Sequence, residues 1–282
     1  MNKWLNPVYF YRKRDRIIPL LVNAVCFPLR QMRRRLAIKG SPVTKNDRKL
    51  CELEGRHKDK MCVVVGNGPS LTMGDLDKIH EKNVISFAFN KIYLAFRETQ
   101  FRPSYYMVED PLVARNIKDE IFKLGYFFKL FPHDFKYFLK EVPNSLFYYL
   151  NWADFYPGRP KSTCNPFALH WGASVTFTAL QFAIYFGCNP IYLIGVDFFF
   201  IESERAGHLE ENILISDGER NHFHPHYRKA GEKWYAPRLN HQRQAFEAVR
   251  LYCEANGIQI VNISRRSCLD VFPRGDFDEI FA

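Results

Sequence analysis

Short apolar runs alternate with longer stretches of helical period from residue 61 to the end of the chain. Cys62 to Val65 is unbroken and largely β-branched, the pattern of a strand covered on both faces. Residues 84–88, 105–108 and 191–194 repeat that pattern, with further candidates at 127–131, 145–149 and 259–262. Between them, residues 112–124, 174–186 and 242–256 carry helical patterns stopped by Gly125, Gly187 and Gly257. The alternation predicts an α/β fold: a single Rossmann-like domain whose mostly parallel sheet has helices on both faces. In such sheets ligands bind beyond the carboxyl ends of the strands. Those ends present Asn67 and Ser70, Asn90, Glu109 and Asp110, and Asp197. As single residues, each also suits a helix cap or a turn; Asp75 reads only as a first-turn helix acid.

Two regions break the alternation. Residues 1–59 form a basic, partly apolar arm ahead of the domain at 60–282. Its apolar stretch, residues 17–29, is too short to span a bilayer and is interrupted by Pro19 and Pro28. Arg12, Lys13, Arg14 and Arg16 precede it; Arg30, Arg33, Arg34 and Arg35 follow. Trp4, Tyr9, Phe10 and Tyr11 add rings suited to an interface, and no small-residue cleavage site of a secretory signal follows. The pattern fits a segment lying on an anionic membrane surface, or a helical arm packed on the domain or on a partner subunit. The expected location is cytoplasmic, peripheral at the inner face of the membrane. The second region, about 199–236, is polar without a core pattern, and loops of that length often close over a site. The aromatic-rich middle, residues 127–155, suits core or the interface of a homo-oligomer.

Composition sharpens this in two ways. With 282 residues, 47% hydrophobic, the chain can bury a full core. Its net charge of +10 sits at one end: residues 1–60 hold 16 Lys and Arg against 5 Asp and Glu, net +11, and the remainder holds 24 against 25, net −1. A near-neutral main domain argues against a general nucleic-acid surface. The seven cysteines include no C-x-x-C pair, so neither a zinc site nor a disulfide framework is indicated, and a reducing compartment is the simplest one.

Three stretches carry chemistry. Gly66-Asn-Gly-Pro-Ser70 follows the first strand: Gly66 and Gly68 offer positive φ and close approach of a ligand, and Pro69 and Ser70 can open a helix whose free amides favour an anion. It is neither a G-x-G-x-x-G fingerprint, because Leu71 replaces the third glycine, nor a P-loop, because the lysine is missing. Gly172, Ser174 and Thr176 open the apolar helix, placing hydroxyls beside free amides; an N-cap role for Ser174 is equally compatible. His222, His224 and His226 lie in the polar region. No carboxylate or thiolate sits beside them at ligand spacing and Pro225 interrupts them, so a single general base is favoured over a metal site.

Taken in order, Gly66 to Leu71, Phe89-Asn90, Ile191 to Phe198 and Asn221-His-Phe223 resemble the bacterial sialyltransferases of glycosyltransferase family 42. They resemble equally the wider group with motility-accessory-factor glycosyltransferases and the archaeal 6-hydroxymethylpterin diphosphokinase-like domain. The tail, Val261-Asn-Ile and Val271 to Phe277, is similar to members found with surface-polysaccharide genes. The resemblance implies a metal-independent transferase using a CMP-activated acidic sugar, without a separate cofactor, and a glycan or glycolipid acceptor. It would place Asn67 on the donor nucleotide, Asn90 near its ribose or base, Ser174 near the phosphate or sugar carboxylate, and His222 as base for the acceptor hydroxyl. Asp197 falls in a shared Gly-Val-Asp-Phe motif, as a structural group or a donor contact. Phe199 departs from the sialyltransferases, which place there a tyrosine that assists the leaving phosphate; Tyr227, Tyr235, Arg228 or Lys229 are the substitutes at hand.

The leading expectation is therefore a CMP-sugar glycosyltransferase of surface-glycan or lipopolysaccharide assembly. One alternative is a diphosphokinase passing diphosphoryl from ATP to a pterin-like alcohol, with Mg²⁺ on Glu109, Asp110 or Asp197. The other is a non-catalytic scaffold of a glycan-assembly complex.

Overall fold

A computed structural model describes residues 27–125, 127–151, 164–201, 207–210 and 213–282. The aromatic and basic positions expected at an interface before residue 27, and the end of the aromatic-rich middle, lie outside the described residues. Seven strands form one all-parallel sheet: β1 (Cys62–Val65), β2 (Ile85–Phe89), β3 (Tyr105–Met107), β4 (Phe128–Pro132), β5 (Ser145–Tyr148), β8 (Ile191–Ile194) and β12 (Ile260–Asn262), in the order β12-β8-β1-β2-β3-β4-β5. Between them, β6 (Leu150–Asn151) pairs with β7 (Leu169–His170). A three-stranded antiparallel sheet comprises β9 (Gly207–Glu210), β10 (Ile213–Ile215) and β11 (Lys233–Tyr235).

The helices are α1 (residues 27–38), α2 (Lys45–Cys51), α3 (Met73–Glu81), α4 (Pro111–Asn116), α5 (Lys118–Lys123), α6 (Lys136–Leu139), α7 (Val175–Tyr185), α8 (Leu239–Ala255) and α9 (Phe277–Ile280). Side chains alternate across a strand, so the sheet feeds two cores. Cys62, Val64, Phe87, Phe89 and Tyr105 pack with α7 and α8 on one face. Val63, Val65, Ala88 and Tyr106 pack with Leu76 and Ile79 of α3 on the other. Both faces are covered, which is why the strand pattern is continuous rather than alternating. The expected Rossmann-like α/β architecture is the one observed.

Several local features differ from the sequence reading. The helical pattern at 112–124 breaks at Ile117 into α4 and α5, with Asp110 as N-cap and Pro111 in the first turn of α4. The polar region at 199–236 holds the antiparallel sheet as well as a loop. Residues 45–59, counted with the arm, contribute Leu50 and Leu53 to the core under α7. Asn46 there brackets the open edge of β5, donating to the Phe147 carbonyl (2.9 Å) and accepting from its amide (2.8 Å). Asp75 closes a capping box with Thr72 at the start of α3. No described helix is long and apolar enough to cross a membrane.

Candidate functional site

The chain lays down β1 to β5 in one direction and then returns to the other side of β1 for β8, so the topological switch point lies between β1 and β8. This is where open α/β sheets bind ligands. The turns after β1 and β8 are joined there. Gly66 donates to the Ile194 carbonyl (2.7 Å) and Gly68 to that of Gly195 (2.8 Å). Neither Gly66 nor Gly68 has positive φ; the left-handed residue is Gly195, at φ 65°. A Cβ on Gly66 would lie 2.2 Å from the Gly195 oxygen, and one on Gly68 would lie 2.5 Å from the Asp197 carboxyl carbon. The expectation of positive φ is thus corrected: these glycines are required because another turn of the same chain presses on them.

Ser70 and Asp197 complete this contact. One carboxylate oxygen accepts from the Ser70 amide (2.8 Å), the other from the Ser70 hydroxyl. Burial pushes the Asp197 carboxyl up, against the hydrogen bonds from Ser70. Ser70 therefore faces Asp197 and does not line the cleft, whereas Asp197 forms part of its wall.

The cleft lies over the ends of β1, β2 and β8 and brings together Gly66, Asn67, Gly68, Asn90, Ser174, Thr176, Asp197 and His222. Asn67 donates through Nδ2 to the Phe89 carbonyl (3.3 Å), while its Oδ1 is buried without a hydrogen-bond partner. Asn90 is left-handed at φ 50°, a conformation asparagine tolerates better than most residues, and its carbonyl accepts from the Tyr106 hydroxyl (2.5 Å). Its side chain lines the cleft with Tyr227, and its Oδ1 is again buried and unpartnered. Two acceptor atoms are thus stripped of water in one cleft, a costly arrangement unless a ligand supplies donors.

The loop of residues 216–232 is fixed over this edge. Phe223 donates its amide to the Asn67 carbonyl (3.0 Å). Lys91 reaches the Tyr227 carbonyl (2.7 Å) and Glu232 (2.6 Å). Asn221 brackets Ile201, accepting from its amide (2.7 Å) and donating to its carbonyl (2.8 Å). Arg228 pairs with Glu219 (3.0 Å) and lies over the Trp234 ring at 3.7 Å, so its charge is engaged within the loop. His222 stacks on Tyr227 with ring centroids 3.7 Å apart and 6° between planes. Burial, then Arg228 and Lys91, hold its imidazole well below the ordinary range, and Nδ1 has no hydrogen-bond partner. The ring is neutral at physiological pH, with Nδ1 open as a hydrogen-bonding atom. His224 pairs with Glu98 (3.2 Å), and neither it nor His226 lines the cleft.

The opposite wall is the N-terminus of α7. Ser174 caps it, accepting from the Thr176 amide (3.2 Å), and Val175 and Thr176 face the cleft. Gln242 of α8 steadies this end by donating to the Ala173 carbonyl (2.9 Å). Gly172 stays outside the cleft; a Cβ there would meet the Phe177 ring at 2.5 Å, so it serves helix packing.

Glu109 and Asp110 do not join the set. Glu109 is buried behind α7, accepting from Thr178 (2.5 Å) with Tyr148 at 3.5 Å, and burial pushes it up to about 7. Asp110 accepts from Leu112 (2.7 Å) and Val113 (3.3 Å) as a cap, and burial raises it to about 6. Sequence reasoning missed Gln242, Lys91 and the wall made by Phe198 and Phe200. Nothing local distinguished Gln242 and Lys91 from other polar residues of a helix or a turn.

Among known families, the model described as 6-hydroxymethylpterin diphosphokinase MptE-like matches residues 38–203. No curated protein and no solved structure matches the chain. The match spans Asn67, Asn90, Ser174 and Asp197 and ends before the His222 loop. Of the resemblances carried by the motifs, it supports the diphosphokinase-like one. With more than half its length matched, the chain belongs to the 6-hydroxymethylpterin diphosphokinase MptE-like family.

Proposed function

We propose that the protein is a nucleotide-dependent transferase of the diphosphokinase-like kind, passing a diphosphoryl group from a nucleoside triphosphate to the hydroxyl of a pterin-like alcohol. The family match supports this, and the observation that carries it is the cleft at the switch point. There the two unpartnered asparagine oxygens meet the N-terminus of α7 and a neutral histidine. Asn67 and Asn90 accept from ribose hydroxyls or a base amine, and the α7 amides receive phosphate. His222 takes the acceptor proton as its oxygen attacks the β-phosphorus and the nucleoside monophosphate leaves. Asp197 is clasped by Ser70 and Glu109 and Asp110 point elsewhere, so these carboxylates do not converge on a metal.

One observation favours a second reading. Among the described residues lining the cleft there is no lysine or arginine. Transfer from a triphosphate calls for more countercharge than release of a monophosphate from a CMP-sugar. Thermal shift with ATP and Mg²⁺, CMP and CMP-sialic acid, followed by assay for AMP or CMP release, separates the two. Stabilisation by ATP and AMP release are expected, both insensitive to His224→Ala, with release lost in His222→Ala. Stabilisation by CMP-sugar alone transfers the reading to glycosyl transfer. No shift with any nucleotide overturns both and leaves a scaffold.

A further inference from the structure

Helix α1 presents an inverted polarity. Its basic residues turn inward: Arg30 pairs with Asp134 (2.9 Å), Arg33 lies 3.6 Å from Asp47, Arg34 donates to the Phe167 carbonyl (2.5 Å), and Ala37 between them is buried. At 100° per residue these four occupy one side of the helix. The rest of the surface is apolar and cationic. Phe27, Leu29 and Met32 are 46%, 61% and 53% exposed, and Arg35 and Lys39 are exposed beside them. Phe27, Met32, Arg35, Leu36 and Lys39 line a shallow groove made by this helix alone among the described residues. A helix docked only for stability would bury the leucine and methionine and leave the arginines in water. Here ion pairs hold the helix and its apolar atoms are left to meet something else.

We propose that this outer face of α1 rests on an anionic lipid bilayer. Charge complementarity selects that occupant: the first 60 residues carry net +11 while the remainder carries −1, so the attraction is confined to this end. Leu29 and Met32 enter the headgroup boundary, and Arg35 and Lys39 sit at the depth of the lipid phosphates, the arrangement of helices that lie in the interface without crossing it. Asp134 follows the carboxyl end of β4, so α1 stands on the edge of the sheet on which the cleft opens. The proposal does not depend on which nucleotide the cleft takes.

The test is co-sedimentation of the full chain with vesicles of phosphatidylcholine alone and of phosphatidylcholine mixed with phosphatidylglycerol. Binding to the mixed vesicles only, weakened by salt, is expected. Leu29→Glu/Met32→Glu is expected to reduce the partition coefficient by more than tenfold, and Arg35→Gln and Lys39→Gln by about fivefold each. These side chains are exposed, so the unfolding midpoint should not move, and a circular dichroism melt verifies that. Unchanged partition of the Leu29/Met32 variant overturns the proposal, because residues before 27 would then carry the binding alone. Binding to neither vesicle also overturns it. So does conversion of a dimer to a monomer by the same variant in sedimentation velocity, which assigns the face to a second copy of the chain.

Discussion

Two groups of polar residues stand at the carboxyl ends of the strands, and they differ in whether their hydrogen bonds are made. Asp197, Asp110 and Glu109 are satisfied by Ser70, by the first amides of α4 and by Thr178. Asn67, Asn90 and His222 each keep a buried atom without a partner, and all three share one cleft. The sequence places the carboxylates beside the asparagines at the strand ends, yet their charge is spent on holding turns and helix ends together. The amides and the imidazole are the groups left available. Substitution in the first group should therefore cost stability, and in the second it should cost ligand binding.

The largest effect belongs to the turn that the first group secures. Gly66→Ala forces a methyl group to 2.2 Å from a backbone oxygen, which the joined turns cannot easily yield. A loss of about 3 kcal/mol in urea unfolding, or failure to fold, is expected. A stable variant with weakened nucleotide binding would instead place Gly66 with the ligand and break the division.

Glu109 should show itself through pH. Its folded pKa of about 7 lies above the ordinary 4.5, chiefly because of burial. Such a carboxyl holds its proton more tightly folded than unfolded, so its contribution is present at low pH and lost as pH rises from about 4.5 to about 7. The loss is of order 3 kcal/mol at full deprotonation. His222 and His133, lowered by burial, act with the opposite sign and lose stability as pH falls, so the wild-type profile alone is ambiguous. The difference between wild type and Glu109→Gln isolates its contribution: the variant should gain relative stability as pH rises from about 4.5 to about 7. A constant difference across that range would mean that Glu109 is ionised throughout and belongs with the available groups.

β1, β8 and β12 were legible because runs with β-branched residues ending in glycine or asparagine need no knowledge of distant contacts. Asn67, Asn90 and Ser174 were legible at strand or helix ends, and His222 in a polar loop, in a recognisable order. What could not be read was anything decided by a partner far along the chain. Gly66 and Gly68 looked like ligand glycines, but the oxygen and carboxylate that exclude their Cβ atoms come from Gly195 and Asp197. Glu109 looked like a metal ligand until Tyr148 and Thr178 enclosed it. The arginines of α1 read as flanks of a segment for an anionic membrane surface or of a packed arm, and three of them turn inward to Asp134, Asp47 and Phe167.

For the second group the expected effects are smaller and fall on binding. Asn67→Ala removes an unpartnered acceptor and one long hydrogen bond of 3.3 Å, so unfolding should change by less than about 1 kcal/mol. Affinity for the nucleotide that stabilises the protein should fall about tenfold to a hundredfold, measured by calorimetry, because that acceptor is unused without ligand. A large loss of stability with unchanged affinity would make Asn67 a structural residue like Asp197.

The smallest effect separates the histidines. His224 meets Glu98 at 3.2 Å and accepts from the His226 amide (3.1 Å), outside the cleft, in a pair whose glutamate is half exposed. Contacts of that kind contribute about 0–1 kcal/mol. His224→Ala should therefore leave both nucleotide affinity and turnover unchanged within error, while His222→Ala, two residues away, abolishes turnover. Both rings lie in one short turn and both touch aromatic neighbours. Equal loss of turnover in the two variants would mean that the loop acts as a unit, and that the unpartnered Nδ1 of His222 is not what selects it.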